Sequence, residues 1–280
     1  METVGPRVDH LIEVLLGSND VEAAIVFGSQ ARAADDSPAD AGSDVDMQVV
    51  VKNPERWIES AWAESTLPDG CLQAWNVRDA FGGVKKISIL LTDGELDLVF
   101  VPAYRMRWAR WGMALGIHRI SAQGMRKLGY LHLLVDHGHC VVKGGRRWES
   151  FWQRVLTEVV EPRLSIAEIR NLLEGVKVDR VSIQRKLARG ELIAAQRWLH
   201  TGIAEAVFKL IHELRCRQGK PSFHDGRRAE SIWTSEEVTA LRLSARCEAA
   251  EIEQAAEQGL QVAQRLVAEL EQTFSKDGAA

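Results

Sequence analysis

The residues with the clearest chemical potential lie between positions 25 and 51, in IVFGSQARAADDSPADAGSDVDMQVVV. An apolar run ends at Gly28-Ser29, and Asp44-Val45-Asp46 opens a second one. Side chains alternate faces along a strand, so Asp44 and Asp46 point the same way. Two such carboxylates repel unless a hard divalent cation sits between them. Mg²⁺ suits that place, because it takes carboxylate oxygens and leaves room for water and phosphate oxygens. Gly28-Ser29, at the end of a strand, offers free backbone N–H groups and a hydroxyl to an anion such as a triphosphate.

A third carboxylate is expected from a neighbouring strand. Asp97, in Glu95-Leu96-Asp97-Leu98-Val99-Phe100, is flanked by apolar residues that otherwise avoid a charge. Glu95 has the same strand parity but sits at a turn, where solvent is the simpler surrounding. Three acids around two metal ions can align an attacking hydroxyl with a nucleotide α-phosphate and stabilise the leaving pyrophosphate. Asp97 would also be placed to take the hydroxyl proton.

Short β-type runs position these groups: EAAIVFG at 22–28, DVDMQVVV at 44–51, LQAWNV at 72–77, KISILL at 86–91 and ELDLVFV at 95–101. Each is too short for a good helix and rich in β-branched or aromatic residues. KISILLTDGELDLVFV reads as a hairpin with Asp93-Gly94 as its turn signal. Helices are expected at 6–16, where Val8, Leu11, Ile12 and Leu15 share a face, and around 54–63.

Past residue 103 the pattern turns helical. Phe151, Trp152, Val155, Leu156 and Val159 fall on one side of 149–160. A long run over 191–217 ends near Gly219 and Pro221, and a last helix is expected over 235–274. The expected architecture is an α/β (α+β) domain with a mixed sheet over 1–110, followed by an all-α helical-bundle domain over 111–280.

Taken together, G-S-x-A-R at 28–32, a polar gap, D-V-D opening an apolar strand and a later L-D-L-V-F resemble the nucleotidyltransferase superfamily of DNA polymerase β type. Within it, a small catalytic domain followed by a helical bundle is similar to the antibiotic nucleotidyltransferases, especially those that act on aminoglycosides. The motif-level likeness covers residues 22–102. The resemblance implies that Gly28 and Ser29, with Arg32, hold the triphosphate of ATP or another NTP. It implies that Asp44 and Asp46 bind Mg²⁺, and that Asp97 completes the metal site or acts as base. It further implies transfer of AMP to a hydroxyl of a small molecule, an aminoglycoside first, with a lincosamide as one alternative. Another is an antitoxin-type enzyme modifying a protein or RNA. Two departures stand out: the gap before Asp44 is long and carries Asp35, Asp36 and Asp40, and Ala33 follows Arg32 where many members have glycine.

In the helical half, Lys186, beside Arg185 and Arg189, is a candidate for the nucleotide phosphates, and Glu191 for a substrate-facing acid. A solvated helix face is the plainer reading of both. Asp35, Asp36 and Asp40 read first as a solvated loop, and second as a rim that draws in a cation. Trp108 and Trp111 suggest core packing before an aromatic wall. His118, His132, His137 and His139 lack partners at metal-ligand spacing, so no zinc site is expected among them.

The 280 residues carry 39 acidic and 35 basic side chains, a net charge of −4, with 46% hydrophobic residues. This is a globular composition, and its mild acidity argues against a protein that coats nucleic acid. Cys71, Cys140, Cys216 and Cys247 form no CxxC pair, which points to free thiols in a reducing cytosol. No basic leader or long apolar span is present, so the expectation is a cytoplasmic monomer or homodimer.

Overall fold

In a computed structural model of the chain, residues 5–31, 43–80, 82–136, 138–223, 226, 228–241 and 243–277 are described. The chain divides into two compact units, Met1–Pro162 and Arg163–Ala280.

The first unit opens with helix α1 (Pro6–Gly17) and strand β1 (Val21–Phe27), whose end passes into a 3₁₀ turn at Gly28–Ala31. Strand β2 (Val45–Val51), short helices α2 (Glu55–Ile58) and α3 (Ala61–Glu64), and strands β3 (Leu72–Ala80), β4 (Val84–Leu91) and β5 (Gly94–Pro102) follow. Helices α4 (Ala103–Ala114), α5 (Ile117–Ile120) and α6 (Ala122–Val135) lead to strand β6 (His139–Lys143) and helix α7 (Arg146–Glu158). The strands form one sheet in the order β3-β4-β5-β2-β1-β6. β2 and β5 run parallel and every other pair antiparallel, so the sheet is mixed as expected.

Both faces of the sheet are covered, which explains why its central strands read as nearly unbroken apolar runs. One face carries Val26, Met47, Val49, Leu98, Phe100 and Ile87 against α1, whose Val8, Leu11, Ile12 and Leu15 recur at helical spacing, and against Trp57 of α2. The other face carries Ala23, Ile25, Val50 and Val101. These pack with Met106 and Met113 of α4 and with Trp148, Phe151, Trp152 and Val155 of α7.

This second layer accounts for the position of the division. The sequence pattern suggested a boundary at 110/111, where strand-rich chain gives way to helix. The structure divides after Pro162, because α4 to α7 bury their apolar faces on the sheet and β6 pairs with β1. A change in local periodicity marks secondary structure, whereas burial decides which elements share a core.

The second unit is helical: α8 (Ile166–Ala188), α9 (Leu192–Trp198), a π-helical turn at Leu199–Ala204, α10 (Glu205–Arg217), α11 (Ala229–Ile232), α12 (Ser235–Leu241) and α13 (Ala249–Asp277). Ser165 and Glu168 form a reciprocal capping box that starts α8. Ile169, Val176 and Ile183 of α8 meet Leu199, Ile203, Leu210 and Leu270 in a core of its own. The single helix expected over 235–274 is two helices, α12 and α13, with 243–248 non-helical between them. The run expected over 191–217 is helical from Leu192 onward, relaxing to π geometry at 199–204. Among the described residues, no helix is long and apolar enough to cross a membrane, and none of the four cysteines forms a disulfide.

Candidate functional site

Strand direction brings the acids together. β1 runs antiparallel to β2, so the end of β1 lies beside the start of β2, with Phe27 opposite Asp46. β5 runs parallel to β2, and Asp46 stands opposite Asp97. One ligand oxygen from each of Asp44, Asp46 and Asp97 lies within 4.8 Å of the other two. Asp97 is 6% exposed, while Glu95 lies in solvent as its place by the turn suggested. The turn itself consists of Thr92 and Asp93, and Gly94 is the first residue of β5.

Gly28 has φ +74°, the left-handed region that glycine enters without strain. It ends β1 and turns the chain past the Asp46 carboxylate, as close as a residue without a side chain permits. The chain then winds through Ser29 in the 3₁₀ turn. Among the described residues, the buried Ser29 hydroxyl oxygen has no hydrogen-bond partner, and the same holds for Oδ1 of Asp97 and Oε1 of Gln48. Gln48 is one alternation further along the acidic face of β2, 3% exposed. Buried polar atoms are normally satisfied, so unpartnered oxygens on the turn and on the strands that carry the acids mark a region shaped for something polar.

Cross-strand register adds cationic and hydroxyl groups that the sequence reading had not selected. Ser88 of β4 stands opposite Asp97, and Lys86, two residues earlier, points to the same face. Lys86 Nζ is in contact with Oδ2 of Asp97 and lies 3.8 Å from Oδ1 of Asp46. Arg78 of β3 donates from Nη2 to the Ser88 Oγ at 2.6 Å. The sequence signal for them was misplaced by one residue: an Asp93-Gly94 loop would set residue 90, not Ser88, against Asp97. With Thr92 and Asp93 as a two-residue loop, residue 91 pairs with 94, and therefore 88 with 97.

The donor set fits a hard divalent cation. Three carboxylates supply oxygen only, one of their buried oxygens is unpartnered, and the glycine leaves the approach open. No thiol or imidazole belongs to this group, so it lacks the soft or nitrogen ligands that suit zinc.

The other selected residues lie elsewhere. Arg32 and the acidic positions Asp35, Asp36 and Asp40 fall outside the described residues, as does His137. In the second unit, Lys186 Nζ is 3.9 Å from Glu191 Oε2 and 5.1 Å from the centre of the Trp198 ring. Glu191 sits at the start of α9, in a shallow apolar depression with Leu192, Ile193, Ala194 and Arg197. Trp108 and Trp111 are not core residues: they are 72% and 61% exposed. α4 buries Ala103, Met106 and Met113 instead, which turns its tryptophans outward. His118 is buried against Glu158, with Nε2 to Oε2 at 3.2 Å. His132 faces the Val155 carbonyl at 3.3 Å.

No protein-family model matches the chain, and no curated protein does. Among solved structures, an aminoglycoside 6-adenyltransferase from Bacillus subtilis is similar at 11% identity and a TM-score of 0.40, covering 98% of this chain and 92% of that one. A nucleotidyltransferase-like protein from Exiguobacterium sibiricum aligns at 10% identity and a TM-score of 0.37, covering 96% and 76%. A spectinomycin adenyltransferase from Enterococcus faecialis, solved with ATP and spectinomycin, aligns at 12% identity and a TM-score of 0.35, covering 92% and 97%.

Proposed function

We propose that the protein is a nucleotidyltransferase that moves a nucleoside monophosphate, AMP from ATP, onto a hydroxyl of a small molecule and releases pyrophosphate. The observation that carries this reading is the meeting of Asp44, Asp46 and Asp97 beside the Gly28-Ser29 turn. Asp44, Asp46 and Asp97 would hold magnesium, as two ions, which neutralise the triphosphate and polarise the reacting oxygens when bound. Ser29, with its unpartnered hydroxyl, and the backbone N–H groups of the 3₁₀ turn would donate to phosphate oxygens. Asp97, through the buried and unpartnered Oδ1, would accept the proton of the attacking hydroxyl. In the transfer, the acceptor oxygen bonds to the α-phosphorus and the bond from that phosphorus to the bridging oxygen breaks. The electron pair leaves with pyrophosphate.

The acceptor in this reading is an aminoglycoside, a polycation suited to an acidic cleft. The experiment is pyrophosphate release from Mg·ATP across a panel of aminoglycosides and lincosamides, with the product identified by mass spectrometry. Turnover with an aminoglycoside, abolished by Asp46→Asn with the fold intact, is the expected result. ATP binding with silence across the panel overturns the antibiotic assignment, and labelling of a protein or RNA by radioactive ATP replaces it with a macromolecular acceptor. Unchanged turnover in Asp46→Asn overturns the metal assignment.

A further inference from the structure

Three carboxylates gathered within 4.8 Å of one another, one of them buried, repel strongly in a medium less polarisable than water. A chain that folds before it meets a divalent ion needs some other positive charge there. Lys86 supplies one. Its Nζ touches Oδ2 of Asp97 and reaches toward Oδ1 of Asp46, with its side chain 31% exposed. The neighbouring cation, Arg78, is engaged with Ser88.

An ammonium held against Oδ2 of Asp97 and reaching toward Oδ1 of Asp46 makes both carboxylates poorer magnesium ligands and repels an arriving ion at close range. The two cations compete for the charge of the same pair of carboxylates. Lysine suits a temporary place of this kind. It is a compact charge on a flexible four-carbon stem and lacks the rigid fork by which arginine grips a carboxylate. Part of the side chain already lies in solvent, so the ammonium can withdraw without opening the core.

We propose that Lys86 is the resident counter-ion of the Asp46–Asp97 pair and that divalent metal binds only by displacing it. Lys86 is then a positioning residue. It holds the acids in place before loading and keeps metal affinity low. The inference rests on the metal assignment above, and its test does not depend on turnover.

The test is titration of the nucleotide-free protein with Mn²⁺, following free ion by electron paramagnetic resonance, for the wild type, Lys86→Met and Asp46→Asn. Lys86→Met is expected to bind Mn²⁺ at least about tenfold more tightly, as follows from removing a fixed charge at contact distance. Its metal-free melting temperature is expected to fall, with a larger rise on adding Mn²⁺ than the wild type shows. A lysine that served packing alone would leave metal affinity unchanged or weaker on removal, and that result overturns the proposal. Lys86→Gln, which keeps a donor for Asp97, gives the same comparison where the methionine variant does not fold. Should none of the chains bind Mn²⁺, the metal assignment falls and this inference with it. Should the wild type bind and Lys86→Met match it, the counter-ion role alone falls.

Discussion

A methyl group on Gly28 would stand 2.6 Å from Oδ2 of Asp46, closer than any ordinary contact. The backbone there, at φ +74°, also disfavours a side chain. Gly28→Ala is therefore expected to lose about 1–2 kcal/mol of stability and about 100-fold in turnover through displacement of Asp46. Thermal unfolding and pyrophosphate release measure the two effects. Gly70, also at positive φ but with open space around it, is the control, and Gly70→Ala is expected to keep its activity.

Asp97 differs from Asp46 in its burial and in its unpartnered oxygen. Asp97→Asn keeps the shape but removes a proton acceptor and a charge. Turnover is expected to fall by about 10²–10⁴-fold, the span of general-base catalysis. An activity that recovers fully at high pH would assign the base to another group.

Metal removal has its own signature. Saturating Mg²⁺ at about 100 times its dissociation constant should add about 2.7 kcal/mol of stability, read as a rise in melting temperature that a chelator reverses. The rise should vanish in Asp46→Asn. A rise of equal size in that variant would place the ion elsewhere.

Much of this site was legible because strands obey simple rules. Period-two alternation put Asp44 and Asp46 on one face, and apolar neighbours flagged Asp97 as a charge held inside. Asp97 was expected on a neighbouring strand, but that this strand runs parallel to β2 was not legible, because it depends on a crossover through α2, α3, β3 and β4. Lys86 was missed for a different reason. A lysine near a strand's start reads as a solvated end until the hairpin register sets it beside Asp97. Trp108 and Trp111 misled because aromatic residues usually bury, whereas α4 already fills its inner face with methionines. The division into compact units after Pro162 was not legible because helices α4 to α7 look like the bundle that follows yet pack on the sheet.

The tryptophans give a direct contrast. Trp152 is fully enclosed, with Phe151 edge-on at 5.1 Å between ring centres, and Trp152→Ala is expected to cost about 3–5 kcal/mol. Trp108 is largely in solvent, with Trp111 edge-on at 6.5 Å, and Trp108→Ala should cost no more than about 0.5 kcal/mol. Denaturant titration separates the two. A large loss from Trp108→Ala would mean that this face is covered by a partner in solution.

The last prediction concerns acid. Glu158, at the end of α7, is held at about 2, well below its ordinary 4.5, chiefly by the hydrogen bond from Arg154, opposed by burial and aided by Arg119. Arg154 Nε donates to Oε1 at 2.6 Å, and Arg119 Nη2 donates to Oε2 at 3.0 Å. Arg154 also donates to the Met113 carbonyl at 2.9 Å, so the cluster ties the end of α4 and helix α5 to α7. A carboxyl depressed in the folded state contributes its stability above the unfolded value and loses it as pH falls through the folded one. The contribution of Glu158 should therefore be complete above about pH 4.5 and fade toward about pH 2. Solvent reaches this network, so about 1 kcal/mol is expected rather than the full equivalent of the shift. Glu158→Gln should melt below the wild type at neutral pH, and the gap should close as the pH is lowered through that window. A gap that stays constant with pH would show that the glutamate acts through packing and not through its charge.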